Sequence, residues 1–245
     1  MAPENTIAAF TRAMRDGAQG IEFDVRLARD GVPVVIHDAT LRRTAQMPGA
    51  VSDFTGSELG RIDVGSWFNR QYPAAARSEY EHETIPTLKL LFEVFELTDG
   101  FLYLEMKSDK HQYKALAGAV LKLVKQFQFA ERVIVESFHL PTLAIVKDLD
   151  PSIRLAALFE ATLKRPFSVV KGLTMVDRAV QVGVAEIALH RSLISARVVD
   201  RATSYGLPTV AWTVDDPKWV KKARSLGVRA LITNDPHKML QARAR

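Results

Sequence analysis

Seven short runs rich in Val, Ile and Leu alternate along this chain with longer stretches of helical spacing. The runs are IEFDV, FLYLEMK, RVIVESF, IRLAALF, AEIALH, PTVAWTV and ALITND. Recurring strand–helix alternation predicts βα units around a parallel sheet, whose strands are buried on both faces and are therefore nearly continuous in apolar residues. Eight such units would close a (β/α)8 TIM barrel. The sequence predicts this α/β fold class. The one strand missing from the expected eight would lie before Met1 and would be the first strand of the barrel.

Helical spacing predicts helices between these strands, over residues 3–14, 88–95, 114–127, 140–149, 169–181, 195–205 and 217–226. Residues 39–85 interrupt the alternation, because they contain many polar and turn residues and little strand signal, with one candidate short helix in SDFTGSELGRI. A loop of this length is often functional. We expect a single domain over residues 1–245, with 39–85 inserted over the barrel mouth.

Composition excludes several classes of protein. Of the 245 residues, 47% are apolar, which is enough for a sizeable core. The formal charge of +5 suits an anionic ligand, but no run of like charges indicates nucleic acid. There is no cysteine, so a metal would be bound through oxygen or imidazole. No apolar stretch has the length of a membrane span and no signal peptide is recognisable, so we expect a cytoplasmic protein without a transmembrane segment.

A hairpin signal occupies residues 20–38, GIEFDVRLARDGVPVVIHD. An Asp-Gly pair between two apolar runs is typical of a tight turn, and a turn centred there places His37 opposite Phe23 or Asp24. Side chains alternate along a strand, so Glu22 and Asp24 share one face. The hairpin therefore predicts two carboxylates and an imidazole close together. An ordinary cross-strand pair of surface residues is the alternative.

A second strand carries charge among apolar neighbours. FLYLEMK places Glu105 and Lys107 two residues apart on one face, and such charges are costly inside a strand unless they are paired or bind something. Three carboxylates, Glu22, Asp24 and Glu105, would make an all-oxygen site for Mg²⁺ or Ca²⁺. Lys107 would then hold an anion such as phosphate. A purely structural Glu105–Lys107 pair is the alternative.

Several motifs together resemble the glycerophosphodiester phosphodiesterase family. They are APENTIAAF, GIEFDVRLARDGVPVVIHDATLRRT, VSDFTGSEL, IPTL, LEMK, AWTVDD and GVRALITNDP, and they cover nearly the whole chain in order. The resemblance implies a (β/α)8 barrel with a small insertion after the second strand and a bound divalent cation. It also implies hydrolysis of small-molecule glycerophosphodiesters to glycerol 3-phosphate and an alcohol.

The resemblance also assigns roles to individual residues. It implies that His37 is one of two acid/base histidines, that Lys107 contacts phosphate, and that Trp212 in AWTVDD lines the pocket, although the residues alone equally allow Trp212 to be barrel core. The metal ligands that it implies are Glu22, Asp24 and Glu105. The choice between Mg²⁺ and Ca²⁺ stays open, because both accept carboxylates.

One family motif has no counterpart in these 245 residues. The resemblance implies a His-Arg-Gly motif on a first barrel strand before Pro3, and the sequence contains no such motif. Its absence predicts unpaired edges on the second and eighth strands of the barrel, which favour association with another chain. It also predicts weakened turnover, because acid–base groups contribute roughly 10²–10⁴-fold each.

Two other functions are compatible with the same residues. The first is a non-catalytic phosphodiester-binding protein that keeps the metal site. The second is a phosphodiesterase acting on lysophospholipids or sphingolipids, which an apolar rim around Trp67, Phe68 and Tyr72 would favour. These aromatic residues could equally form a small core of the insertion itself.

Overall fold

An eight-stranded sheet forms the centre of the protein, for which a computed structural model describes residues 1–107, 111–161 and 169–243. The strand order is β2-β1-β3-β4-β5-β6-β7-β8. Seven of the strands are parallel neighbours, and β2 is antiparallel to β1. The strands are β1 (Gly20–Leu27), β2 (Pro33–Val35), β3 (Phe101–Met106), β4 (Val133–Ser137), β5 (Arg154–Phe159), β6 (Glu186–His190), β7 (Thr209–Trp212) and β8 (Ala230–Leu231). The seven predicted parallel strands are confirmed.

Ten helices are described, and most of them lie between consecutive parallel strands. They are α1 (Ile7–Arg15), α2 (Gly56–Leu59), α3 (Ser66–Gln71), α4 (Leu88–Phe95), α5 (Tyr113–Gln126), α6 (Leu140–Leu149), α7 (Val169–Val182), α8 (Ala196–Ser204), α9 (Lys218–Leu226) and α10 (Pro236–Arg243). The prediction began α1 too early: the Thr6 side chain accepts a hydrogen bond from the Ala9 amide, so the helix starts at Ile7. Within the described ranges, no helix combines the length and apolarity needed to cross a bilayer.

The main apolar core lies between the outer face of the sheet and the helices. Phe23 and Val25 of β1 and Leu104 of β3 are fully buried there, together with Phe92 of α4 and Val120 of α5. Because side chains alternate along a strand, burying these residues on the outer face turns the intervening residues of β1 and β3 toward the inside of the barrel. The apolar packing therefore dictates which charged residues share the interior.

The sheet does not close on itself. In the hydrogen-bonded order β8 stands last, and β1 carries at its far side only the short antiparallel β2, which pairs with residues 25–27. Residues 19–22, 24 and 228–235 border the same groove, whose volume is about 1110 Å³. Among the described residues no strand lies between β1 and β8. The edge of β8 is thus unpaired, as expected, whereas the edge of β1 is unpaired only in part, because residues 25–27 pair with β2.

The insertion leaves and re-enters the barrel at one place. The Val35 amide donates a 2.8 Å hydrogen bond to the Pro86 carbonyl, and Val34 forms an antiparallel bridge with Thr87. Residues 39–85 contain α2 and α3 and supply most of two small apolar clusters, one of which also includes Val34 and other residues of the β1–β2 hairpin. The predicted helix in SDFTGSELGRI is present as α2, which is capped by Thr55. The two ends of the insertion are thus held together by backbone contacts.

Candidate active site

Three carboxylates meet inside the barrel, at the contact between β1 and β3. These strands are parallel, and their register places Asp24 beside Glu105 and Glu22 beside Tyr103. One carboxylate oxygen from each of Glu22, Asp24 and Glu105 lies within 4.8 Å of the other two. The structure therefore brings together the three acids that the sequence analysis singled out.

Lys107 lies against two of these acids. Its ammonium is 3.0 Å from a Glu105 oxygen and 3.3 Å from an Asp24 oxygen, and its side chain is only 14% exposed. The contact with Glu105 is the structural pair that the sequence allowed. The additional contact with Asp24 means that Lys107 pairs with two of the three clustered acids and not with Glu105 alone.

The negative charge inside the barrel exceeds the positive charge nearby. Burial and the neighbouring carboxylates, with Asp24 the largest of them, raise the pKa of Glu22 well above its usual value. Burial raises the pKa of Glu105 to about 7, although the charge of Lys107 opposes the shift. Burial disfavours the charged form of Lys107, but the carboxylates of Asp24 and Glu105 raise its pKa. The charged forms of Glu22 and Glu105 are thus disfavoured here, and a cation between these acids would favour them again.

The sequence analysis missed a fourth acid in this region. Glu136 of β4 lies beside Glu105 in the register, is 1% exposed, and has one carboxylate oxygen with no hydrogen-bond partner. Burial raises its pKa well above the usual value, and the charges of Glu105 and Asp24 add to the effect. The signal was present, because an acid within the apolar run RVIVESF is as costly as Glu105 in its own strand.

The carboxylate triad fits a hard divalent cation. Mg²⁺ and Ca²⁺ bind oxygen ligands at about 2.0–2.6 Å, so two oxygens on one ion lie no more than about 4–5 Å apart. The separations among Glu22, Asp24 and Glu105 satisfy this limit, and all three donors are oxygens of the preferred type. Asp24 is also oriented from outside the triad by Asn5.

Asn5 holds Asp24 with two hydrogen bonds. Its side-chain amide donates to an Asp24 carboxylate oxygen at 2.8 Å, and its carbonyl oxygen accepts from the Asp24 backbone N–H at 3.1 Å. Asn5 adopts a left-handed backbone with φ of 56°, which asparagine tolerates better than most residues. The residue lies within APENTIAAF, but its contact with Asp24 depends on how α1 packs on β1.

His37 lies at the same cavity, beyond the end of the β1–β2 ladder. The pairing of Val25 with Val35 has the register that would put His37 opposite Phe23, one of the two partners that the hairpin signal allowed. The paired strand residues end at Val35, and the Ile36 amide adds one more hydrogen bond, to the Asp24 carbonyl at 2.9 Å. His37 lines the cavity together with Glu22, and its side chain is half exposed. Its Nδ1 lies 2.6 Å from an oxygen of Asp38. The imidazole is thus near the carboxylates but has a partner of its own.

Aromatic rings border the Lys107 side of the site. The Lys107 ammonium is 5.9 Å from the centre of the Phe138 ring, which meets Trp212 edge-on at 5.5 Å. The His190 ring also meets Trp212 edge-on, with 5.3 Å between the ring centres. The structure thus places Trp212 in an aromatic group next to Lys107. Sequence reasoning did not include Phe138, whose side chain is partly exposed.

The aromatic residues of the insertion form a small core. Trp67 and Phe68 are buried and pack with Tyr80, which is fully buried. Tyr72 contacts both Trp67 and Phe68 and is 40% exposed. Although the cavity touches these rings, most of their surface is used within the insertion. The rings thus form the small core of the insertion that the sequence allowed, and Tyr72 is the most exposed of them.

A curled, mostly parallel sheet with helices outside and a carboxylate–lysine group inside is the architecture of an α/β-barrel enzyme. The chain belongs to the glycerophosphoryl diester phosphodiesterase family, whose model matches residues 1–238. The resemblance seen in the sequence motifs is confirmed, and so is the TIM-barrel fold class.

Individual relatives cover almost the whole chain. A glycerophosphodiester phosphodiesterase from Caldanaerobacter subterraneus subsp. tengcongensis is 34% identical over 97% of this chain and 91% of its own. One from Bacillus altitudinis is 33% identical over 98% and 93%. Among solved structures, an Oleispira antarctica phosphodiesterase in complex with the product sn-glycerol-3-phosphate superposes with a TM-score of 0.87, 28% identity, and coverage of 100% of this chain and 92% of that chain.

Proposed function

We propose that this protein hydrolyses glycerophosphodiesters to glycerol 3-phosphate and an alcohol. The observation that carries the proposal is the clustering of three carboxylates, with Lys107 paired to two of them. The three acids are Glu22, Asp24 and Glu105. Family membership and the related phosphodiesterase bound to sn-glycerol-3-phosphate support the same activity and a small-molecule substrate.

The proposed ligands of a divalent cation, Mg²⁺ or Ca²⁺, are Glu22, Asp24 and Glu105. When bound, the cation supplies positive charge and Lewis acidity toward phosphate oxygens. Lys107 adds a fixed positive charge where negative charge grows on the phosphoryl group in the transition state. Trp212, with Phe138, provides an apolar wall against which the carbon skeleton of the substrate packs.

His37 is the proposed proton-transfer residue. In one route it accepts the proton of a glycerol hydroxyl as that oxygen attacks phosphorus, while the bond from phosphorus to the leaving alcohol breaks. In the other it donates the proton that the departing alkoxide requires. Attack by the neighbouring hydroxyl gives a cyclic phosphate, which water then opens. Because Nδ1 of His37 is engaged with Asp38, Nε2 is the nitrogen available for either transfer.

The chain is proposed to be a single domain over residues 1–245, with residues 39–85 over the barrel mouth. Trp67 and Tyr72 of the insertion border the same cavity as Glu22 and His37, which supports this placement. The insertion would then shape the entrance through which the head-group alcohol is admitted and released.

The test compares the wild-type chain with the Glu105→Gln variant. Glycerol 3-phosphate release from glycerophosphocholine is measured after EDTA treatment and after addition of Mg²⁺ or Ca²⁺, and cation binding is measured separately by calorimetry. We expect cation-dependent turnover in wild type and loss of both turnover and binding in the variant. Glu93→Gln is the matched control, since Glu93 is an exposed residue of α4 whose one ion pair among the described residues is with Lys89.

Other outcomes would contradict parts of the proposal. Turnover by Glu105→Gln at the wild-type rate would show that Glu105 is not part of the active site. Cation-dependent binding of glycerophosphocholine without release of product would instead support the non-catalytic phosphodiester-binding function.

A further inference from the structure

A chain of four side chains connects His37 to the start of α1. Nδ1 of His37 lies 2.6 Å from Oδ1 of Asp38, and the other oxygen of Asp38 accepts a 2.7 Å hydrogen bond from Nε of Arg43. The two terminal nitrogens of Arg43 donate to the two oxygens of Glu4 at 2.6 and 2.7 Å. Asp38 and Arg43 thus each have one partner toward His37 and another toward Glu4.

We propose that Asp38, Arg43 and Glu4 are positioning residues that hold His37 in one orientation and one tautomer, with hydrogen on Nδ1 and Nε2 directed to the substrate. This inference rests on the proposed role of His37 in the phosphodiesterase reaction. It adds three residues, none of which was singled out by the sequence analysis, and it assigns them to His37 rather than to the cation ligands.

The tautomer follows from the ionisation of Asp38. The hydrogen bond from Arg43, followed by the one from His37, lowers the pKa of Asp38 to about 2. An ionised carboxylate accepts hydrogen bonds and donates none, so the short contact requires hydrogen on Nδ1 of His37. In the neutral ring Nε2 then carries the lone pair that a proton acceptor needs, and in the charged ring it carries the proton to be donated.

Arg43 suits its place because its donors form a planar fork. Two parallel hydrogen bonds to Glu4 fix the guanidinium plane, and Nε then meets Asp38 from a fixed direction. These side chains are about a quarter to a half exposed, and an isolated surface ion pair contributes only about 0–1 kcal/mol. The bidentate geometry makes this group a device for orientation rather than a source of stability.

Glu4, the last of these four side chains, is next in sequence to the residue that orients Asp24. Glu4 is followed directly by Asn5, which makes both hydrogen bonds to Asp24. One dipeptide before α1 thereby fixes His37 on one side and Asp24 on the other. The spacing between the proton-transfer group and the carboxylates is then set by two adjacent backbone positions, so His37 needs no direct contact with the carboxylates to stay in register with them.

The charged groups around His37 are few. Asp38, Arg43 and Glu4 form the chain described above, the guanidinium of Arg26 donates to the His37 backbone carbonyl at 2.8 Å, and Glu22 and Asp24 line the same cavity. Of these, only Asp38 contacts the imidazole ring itself among the described hydrogen bonds and ion pairs. Changing Asp38 therefore alters the environment of the ring while the backbone contact with Arg26 is kept.

The test uses Asp38→Asn, which keeps the size of the side chain and removes its charge, and Arg43→Lys, which removes the fork. The ring nitrogens of His37 are observed by ¹⁵N NMR in the whole protein, with the signal assigned by its loss in His37→Gln. We expect wild type to show hydrogen on Nδ1, and Asp38→Asn to show a mixture of tautomers. Partners of this kind contribute about 10–100-fold to activity, so kcat on glycerophosphocholine should fall about that much while KM changes less than about twofold.

Two further variants separate positioning from a general structural effect. Arg43→Lys should lie between wild type and Asp38→Asn both in the tautomer population of His37 and in kcat. Arg70→Ala, in which an arginine of the same insertion loses its contact with Gln46, is the matched control and should behave as wild type.

The outcomes distinguish this inference from the proposed function. Unchanged His37 nitrogen signals and unchanged kcat in a folded Asp38→Asn protein would overturn it, even if the wild type is an active phosphodiesterase. Altered nitrogen signals in a wild-type chain that releases no glycerol 3-phosphate would instead sustain the positioning of His37 and refute the proposed function.

Discussion

Removing the Glu105 charge should flatten the pH dependence of stability in the metal-free protein. Burial raises the pKa of Glu105 from its usual 4.5 to about 7, so between these values the folded state holds a proton that the unfolded state has released. Stability contributed by this group is fully present below about pH 4.5 and is lost as the pH rises through 7. Glu105→Gln cannot titrate and should not show that loss.

The size of the effect follows from the two pKa values. A pKa unit corresponds to about 1.4 kcal/mol, so Glu105 alone should lower the free energy of unfolding by about 3 kcal/mol between pH 4.5 and pH 8. Urea denaturation in EDTA at intervals across this range measures it, with Glu93→Gln as the control that keeps the wild-type slope. If the unfolding free energy of Glu105→Gln falls with pH as steeply as that of wild type, the pH dependence does not come from this carboxyl.

Addition of a divalent cation gives an independent check on the same group. Carboxylate ligands must be deprotonated to bind metal, so affinity rises with pH. Mg²⁺ or Ca²⁺ should therefore stabilise wild type more at pH 8 than at pH 5, and should stabilise Glu105→Gln little at either pH. Equal stabilisation of both proteins would refute binding at this site.

Other predictions concern the site and the core. Lys107→Met should lower kcat/KM for glycerophosphocholine about 10²–10³-fold in a steady-state assay, because a fixed positive charge on the phosphoryl group is lost. Asn5→Ala should weaken divalent-cation binding about 10–100-fold by calorimetry, since Asp24 loses its clamp. Phe92→Ala should cost about 3–5 kcal/mol in urea unfolding, because the ring is fully buried between two other phenylalanines. Thr87→Ala should cost about 1 kcal/mol in the same assay, because its side chain caps α4.

The strands were predictable because each is a short apolar run bounded by turn residues. The hairpin register was predictable to within one residue, because an Asp-Gly turn marks where β1 folds back on β2. The alternation of side chains alone places Glu22 and Asp24 on one face. The step from two carboxylates to three needed only the expectation that parallel strands adjacent in the sheet align their polar residues.

Contacts between distant segments were not predictable in this way. Nothing in the sequence states that Arg43 reaches both Glu4 and Asp38, because 39 residues separate Arg43 from Glu4 and the contact depends on how the insertion folds back. The end of β2 at Val35, two residues before His37, also depends on the packing around it. Helix α10 was missed because its apolar spacing is weak, with Met239 its only buried residue among those described.

The joined ends of residues 39–85 make the insertion an exchangeable module. Because backbone contacts of Val35 and Val34 with Pro86 and Thr87 already bring its ends together, the joining of the two ends does not depend on the length of the segment between them. Each doubling of the length of a flexible loop costs only about 0.6 kcal/mol. A segment of different length would therefore reshape the entrance to the cavity while the carboxylates of β1 and β3 keep their places.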